Sequence, residues 1–176
     1  SDCYEPVYLK KRQEMGDEIW AYVCISAQRP YLNNWAIDYP GMDHRLLFWQ
    51  LFDHDITGFL YWQITYWQVN PWKDTLTYPG GNGDGSLIYP GPEGPVNSVR
   101  FELNRDGTED YDMLVMLRDA IAALDAKGIR VNEDALLNYP QLTKSWTEYS
   151  DNPRVLENLR ERIGDRLEHY TRMLSR

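Results

Sequence analysis

The chain has 176 residues, 14% of them aromatic and 26% charged, with a net charge of −9 and a pI near 4.8. That length supports one domain or a little more with a real core, and the aromatic content speaks against disorder. The acidic balance argues against nucleic acid and anionic membranes as partners, and no apolar run approaches the roughly 20 residues of a membrane span. The charge excess lies before residue 148, where 12 Lys and Arg stand against 21 Asp and Glu; from Glu148 onward the counts are 6 and 6. The first residue is Ser1, not Met, so the chain is expected to be processed, tagged or cut from something larger.

In chain order, residues 4–16 read as a short helix, with Val7, Tyr8 and Leu9 apolar, Lys10, Lys11 and Arg12 exposed and Gly16 as the cap. Glu18–Ile25 reads as a strand buried on both faces. Cys24 near its end is expected to be an inert core thiol; a disulfide with Cys3 stays open, and the two cysteines form no zinc pattern. A loop over 28–34 precedes an amphipathic helix over 39–52, with Pro40 in its first turn and Met42, Leu46, Trp49 and Phe52 near helical spacing. Asp38 is read as its cap. Asp53, His54 and Asp55 read as a polar turn rather than a metal cluster. Thr57–Thr65 is the second strand. Strand, helix, strand makes a βαβ unit with parallel strands.

Residues 69–98 read as a long functional loop rich in Gly, Pro and Asn. Its stretch Asn82-x-Asp84-x-Ser86 with Glu93 faintly echoes a calcium loop, but Leu87 occupies the place where that loop needs Gly. A long helix is predicted over 106–127, with Gly128 as its C-cap, and Arg100, Glu102 and Arg105 before it read as an ion-pair network or as a clamp. The last predicted helix, 153–174, carries Val155, Leu159, Ile163, Leu167, Tyr170 and Leu174 on one face. His44 and His169 have no partner at ligand spacing. No phosphate loop, nucleophile elbow or metal-ligand spacing is present, so no cofactor or metal is expected.

The aromatic stretch from Gly58 to Trp72 carries the main functional signal. Tyr61, Trp62, Tyr66, Trp67 and Trp72 fall within twelve positions, interleaved with Gln and Asn. The apolar face of a pyranose packs on indole, and its hydroxyls need fixed polar partners, so this composition fits a sugar surface. Core packing is the alternative.

Five segments together resemble one family. They are Glu18–Cys24, Ile37–Pro40, Gly58–Trp62, Asn82–Gly85 with Tyr89-Pro90-Gly91, and Arg100-x-Glu102 followed by Arg105–Tyr111. In this order they resemble the C-terminal part of the glycoside hydrolase family 123 catalytic domain and its uncharacterised relatives, over about residues 4–125. The resemblance implies an α/β fold, the C-terminal section of a (β/α)8 TIM-type barrel: its last strands plus closing helices, incomplete as a single chain because a whole barrel needs about 250 residues. The expected division is 1–128 for the barrel section and 129–176 for a helical extension packed on it.

The resemblance further implies removal of N-acetylhexosamine from glycans with help from the substrate's own acetamido group, guided by an adjacent Asp-Glu pair. Here the adjacent acids are Asp17-Glu18, Glu109-Asp110 and Glu133-Asp134, none placed after a strand as that pair should be. The expected substrate-binding residues are Trp62, Tyr66, Trp67 and Trp72 after the last strand, Tyr22, Tyr31, Asn33 and Asn34 around the one before, and Asp84 from the glycine-rich loop. The expected partners are a carbohydrate and the remainder of its own barrel or a partner chain, in an extracellular or periplasmic setting. A non-catalytic carbohydrate-binding or scaffold module, or a structural part of a larger assembly, remains the alternative.

Overall fold

In the computed structural model, which describes residues 5–132 and 134–175, β1 (Trp20–Tyr22) and β2 (Gly58–Leu60) pair in parallel with α2 (Gly41–Asp53) between them. The predicted βαβ unit is therefore present. Trp20, Ala21 and Tyr22 lie opposite Gly58, Phe59 and Leu60. Both strands are shorter than their apolar runs predict, and β1 is not buried on both faces: Trp20 is 62% and Tyr22 48% exposed. Period-2 alternation explains the split. Ala21 and Phe59 pack against the core, Phe59 edge-on to Phe48 at 5.4 Å, while Trp20, Tyr22 and Leu60 occupy the uncovered face. The Trp20 indole lies over Gly58, where an added Cβ would sit 2.3 Å from its nearest ring carbon. No closed barrel forms among the described residues; their strands make three separate two-stranded sheets.

α2 is buried almost all round, with the polar Asp43, His44 and Gln50 enclosed along with its apolar residues. Leu46, Leu47, Phe48, Trp49, Leu51 and Phe52 are all buried, each contributing about 1.5–3 kcal/mol by leaving water. It begins at Gly41, with Pro40 at the N-cap position and no side-chain cap. Asp38 therefore does not cap it; its carboxylate accepts from Asn82 Nδ2 at 2.9 Å. At the other end Asp55 turns the chain with φ 51°, and His54 stacks on Trp146 at 4.4 Å.

α3 (Val99–Ala126) starts seven residues before the predicted helix. Ser98 Oγ accepts from Phe101 N at 3.2 Å and caps it. Arg100, Glu102 and Arg105 are thus helical. Arg105 does join an ion-pair row with Glu102, Asp106 and Glu109, but Arg100 does not. α3 crosses α2 closely at Gly107, where a Cβ would meet Phe48 at 2.4 Å and the Arg45 carbonyl at 3.0 Å. α5 (Pro153–Leu174) packs on α3 through Leu156, Leu159, Ile163 and Tyr170. Asp110 ties the three helices together. Arg45 Nε reaches its Oδ2 at 2.6 Å, Trp49 Nε1 the same oxygen at 3.0 Å, and Arg160 Nε its Oδ1 at 2.8 Å.

The remaining elements are α1 (Pro6–Glu14), the hairpin β3 (Ile88–Pro90) with β4 (Pro95–Asn97), the single turn α4 (Asp134–Leu137), and the hairpin β5 (Thr143–Ser145) with β6 (Glu148–Tyr149). α1 leaves Val7 82% and Tyr8 62% exposed. The stretch 69–98 is thus not one loop, since its last third is a hairpin. Cys24 is half-buried rather than enclosed in the core, 3.2 Å from Ser26 Oγ; the Cys3 pairing lies outside the described residues.

Candidate functional site

The C-terminal ends of β1 and β2 feed two loops that meet around Asp84. The segment Gly80–Gly85 makes this possible. Gly80, Gly83 and Gly85 adopt φ of 80°, 86° and 73°, in the left-handed region that side chains rarely adopt. Gly85 also lies so close to Trp62 that a Cβ would sit 2.7 Å from its ring. The result is a tight coil that turns a buried Asp84 toward the aromatic residues after β2.

Asp84 Oδ1 accepts from the Tyr61 hydroxyl and, at 3.0 Å, from Trp62 Nε1. The Tyr61 oxygen in turn accepts from Gly85 N at 2.6 Å, and Thr77 Oγ1 donates to the Asp84 carbonyl at 3.0 Å. Burial, then the bond to Asp84, pushes the Tyr61 phenol far above its ordinary value, so it stays a neutral donor. Asp84 Oδ2 takes no hydrogen bond among the described residues. Around this carboxylate, Trp62 packs against Tyr66 at 5.0 Å and Tyr78 at 5.4 Å. The Tyr22 phenol on β1 is raised, first by desolvation, and Tyr22 lines a separate groove with Leu9, Trp20 and Trp146.

Arg100 anchors the coil from beneath. Its guanidinium donates to the carbonyls of Trp35, Gly83 and Ser86 and, at 3.2 Å, to the Tyr89 hydroxyl. A buried cation held by carbonyl dipoles fastens the Asp84 coil to the first turn of α3. Asn82 and Asp84 are therefore engaged by Thr75, Tyr61 and Trp62, and no group of three or more His, Cys, Asp or Glu stands in metal-holding geometry among the described residues.

Of the residues singled out from sequence, Trp62, Tyr66 and Asp84 come together, while Tyr22 stays on the exposed face of β1. Trp67 and Trp72 form a second set on the β3–β4 hairpin, donating their indole N–H groups to the carbonyls of Ile88 at 2.9 Å and Pro90 at 2.6 Å. Trp72 is 58% exposed and lies 4.9 Å from Tyr89. Asn34 is buried and lines a different groove with Asn104. Asn33 Oδ1 accepts from Trp35 N and Ala36 N, a local turn bond, and the half-buried Tyr31 bonds through its backbone to Gln28. Tyr61 belongs to the aromatic stretch read from the sequence but not to its expected substrate-binding residues, and Tyr78 belongs to neither. The signal for Tyr61 was its place beside Trp62 at the strand end; nothing in the sequence distinguishes Tyr78 from the other tyrosines.

At the N-terminal end of α2, buried Asp43 pairs with Arg29 at 2.7 Å. Burial pushes its carboxyl up to about 6 against the opposing pull of Arg29. The adjacent His44, also buried, meets the Asn33 carbonyl through Nδ1 at 3.1 Å. Burial, reinforced by the Arg100 charge, lowers it to about 4.

The acidic pairs are accounted for where they are described. Asp17 pairs with Arg12, and Asp110 is locked between arginines at the helix junction; Glu133 lies outside the described residues. A search of curated proteins gives no match. Residues 2–117 match the glycoside hydrolase 123 catalytic domain. With two thirds of its length inside that match and a strand-end cluster of aromatic residues around Asp84, the chain belongs to the glycoside hydrolase 123 catalytic-domain family.

Proposed function

We propose that the chain supplies the sugar-contacting end of a glycoside hydrolase site for N-acetylhexosamine-containing or related glycans. In this reading β1 and β2 are the last two strands of a (β/α)8 barrel, and the catalytic acids come from polypeptide beyond this chain. The observation that carries the reading is Asp84. One of its oxygens is fixed by Tyr61 and Trp62, the other has no hydrogen-bond partner among the described residues, and Trp62, Tyr66 and Tyr78 stand beside it. An oriented carboxylate oxygen next to an indole face is what a sugar hydroxyl and an apolar ring face require. Strand C-terminal ends are where barrels of this class hold ligands.

The test is saturation-transfer NMR and calorimetry with N-acetylgalactosamine and short glycans ending in it. Binding that weakens at least tenfold in Trp62→Ala, with a smaller fractional loss of folding stability, supports the reading. Equal losses of binding and melting temperature sink it and leave the aromatics as core. The lack of a suitable acidic pair among the described residues favours a second reading, a carbohydrate-binding module without turnover. Sugar binding with no hydrolysis, even in the presence of its natural polypeptide neighbours, would favour that one.

A further inference from the structure

A cavity of about 440 Å³ lies where the N-terminal ends of α2 and α3 meet β3. Gly41 and His44 line it from α2, Val99, Arg100 and Leu103 from α3, and Tyr89 from β3; neither Asp84 nor Trp62 does. The chain carries −9, yet no Asp or Glu lines this cavity among the described residues. The acids closest in sequence are engaged elsewhere, Asp38 by Asn82, Asp43 by Arg29 and Glu102 by Arg105. Both helix ends also carry open donors. α2 has no side-chain cap, and no acceptor meets the N–H groups of Gly41 and Met42 among the described residues. In α3, Ser98 Oγ takes only Phe101 N, which leaves the N–H groups of Val99 and Arg100. Helices of 13 and 28 residues thus turn two positive dipole ends on one space.

Two enclosed side chains define what the space accepts. Arg100, 7% exposed, has no carboxylate partner among the described residues; carbonyls and the Tyr89 hydroxyl hold its guanidinium. A buried cation without a counter-charge is costly. The Tyr89 oxygen accepts from Arg100, so its own hydrogen is uncommitted. His44 is 1% exposed. Its Nδ1 faces the Asn33 carbonyl at 3.1 Å. A carbonyl only accepts, so the proton sits on Nδ1 and Nε2 presents a lone pair. No donor meets Nε2 among the described residues. Burial and the Arg100 charge keep the ring neutral.

The cavity therefore calls for negative charge, several acceptor oxygens and one hydrogen to donate. We propose that it binds a phosphoryl group that retains a proton, its charged oxygens facing Arg100 and the two helix ends and its P–OH donating to His44 Nε2. A sulfate or a carboxylate carries the charge but no hydrogen, and a sugar hydroxyl carries the hydrogen but no charge. Free phosphate and a phosphate monoester share the required chemistry. This site stands independently of the sugar reading, although the two have a residue in common: Arg100 also holds the carbonyls of Gly83 and Ser86 on either side of Asp84.

The test is calorimetry on the full-length protein at about pH 6, near the second ionisation of a phosphate monoester, with inorganic phosphate, glucose 6-phosphate and sulfate at matched ionic strength. The expected result is that one or both phosphate compounds bind roughly tenfold or more tightly than sulfate, and that the His44 ring signals move in the NMR spectrum on their addition. Tighter binding of glucose 6-phosphate identifies a phosphate ester as the ligand class; tighter binding of inorganic phosphate identifies the free ion. Val99→Asp places a carboxylate at the cavity rim on a residue 74% exposed, in a first helical turn that suits an acid. It should weaken phosphate binding roughly tenfold or more with the melting temperature unchanged. Sulfate binding as tight as phosphate, His44 signals that stay put, phosphate binding that Val99→Asp leaves intact, or no phosphate binding at all would each overturn the proposal.

Discussion

Two buried aspartates, Asp84 and Asp110, are each about 1% exposed and each touch a tryptophan indole N–H, yet they are built for opposite ends. Asp110 has both oxygens taken, with Arg45 and Arg160 neutralising it between three helices. Asp84 has no ion-pair partner among the described residues. Two neutral donors converge on one oxygen, and the other takes none among the described residues. A carboxylate that is charge-paired and fully bonded stabilises a junction but offers nothing to a ligand. One that is oriented by neutral groups through a single oxygen leaves its second oxygen as an acceptor. Side-chain type does not separate the two; the identity of the donors does.

The largest effect should come from Asp110→Asn. It removes the buried charge that Arg45 and Arg160 share, leaving them only the exposed Glu157 and Glu109, and should cost about 3–5 kcal/mol of stability, read as a fall in urea midpoint with no change in m-value. A loss under about 1 kcal/mol would erase the contrast.

A third buried aspartate, Asp43, has a single arginine partner and sharpens the comparison through pH. Its raised folded value, about 6 against 3.8, means the fold holds its proton more tightly, so its contribution falls as pH rises from about 4 to 6. His44, lowered to about 4 from 6.5, contributes the reverse: stability falls as pH drops from about 6.5 to 4. The two slopes offset each other in the wild type. Relative to it, His44→Gln should lose stability as pH rises from 4 to 6. Asp43→Asn should gain stability over the same rise. Each difference should amount to up to about 3 kcal/mol, seen in melting temperature against pH.

Asp84→Asn comes next. It keeps the shape of the side chain, so stability should fall by about 1 kcal/mol, while affinity for an N-acetylhexosamine ligand should drop at least tenfold by calorimetry. If stability instead falls as far as in Asp110→Asn, Asp84 is a structural residue of the same kind. The smallest change is Trp72→Ala. This exposed indole should shift stability by no more than about 0.5 kcal/mol and leave single-sugar binding unaltered, while binding of longer glycans weakens if the hairpin aromatics form an outer platform.

The sequence revealed those parts of the molecule whose periodicity is local. α5 was readable from a regular apolar face bounded by Asn152 and Pro153, and the βαβ unit from two apolar runs with a helix between them. The exposure of Trp20 and Tyr22 was not readable, because an apolar strand looks the same whether or not a second layer covers it. The start of α3 was missed because Val99–Arg105 alternates apolar and polar residues like a strand; Ser98 was the cap that could have placed it. At the site, Trp62 and Tyr66 stand out by their clustering after β2, but their meeting with Asp84 depends on the glycine-rich coil, which reads by default as a turn that Asp84 holds. The separation of Trp67 and Trp72 onto the hairpin depends on the Ile88–Asn97 turn, which an unbroken loop reading hid. Tyr78 and the carbonyl-bound Arg100 depend on long-range packing with no sequence period.

The open edges of β1 and β2 also bear on how the protein behaves in a tube. An uncovered strand edge beside exposed Trp20, Tyr22 and Leu60 is a template for sticking to like chains, and what opposes that is the mutual repulsion of molecules carrying −9 each. Salt weakens that repulsion, since the screening length contracts from roughly 30 Å at 0.01 M to about 10 Å at 0.1 M. Colloidal stability should therefore be greatest in dilute buffer well above the pI, with turbidity rising as ionic strength increases or as pH approaches 4.8.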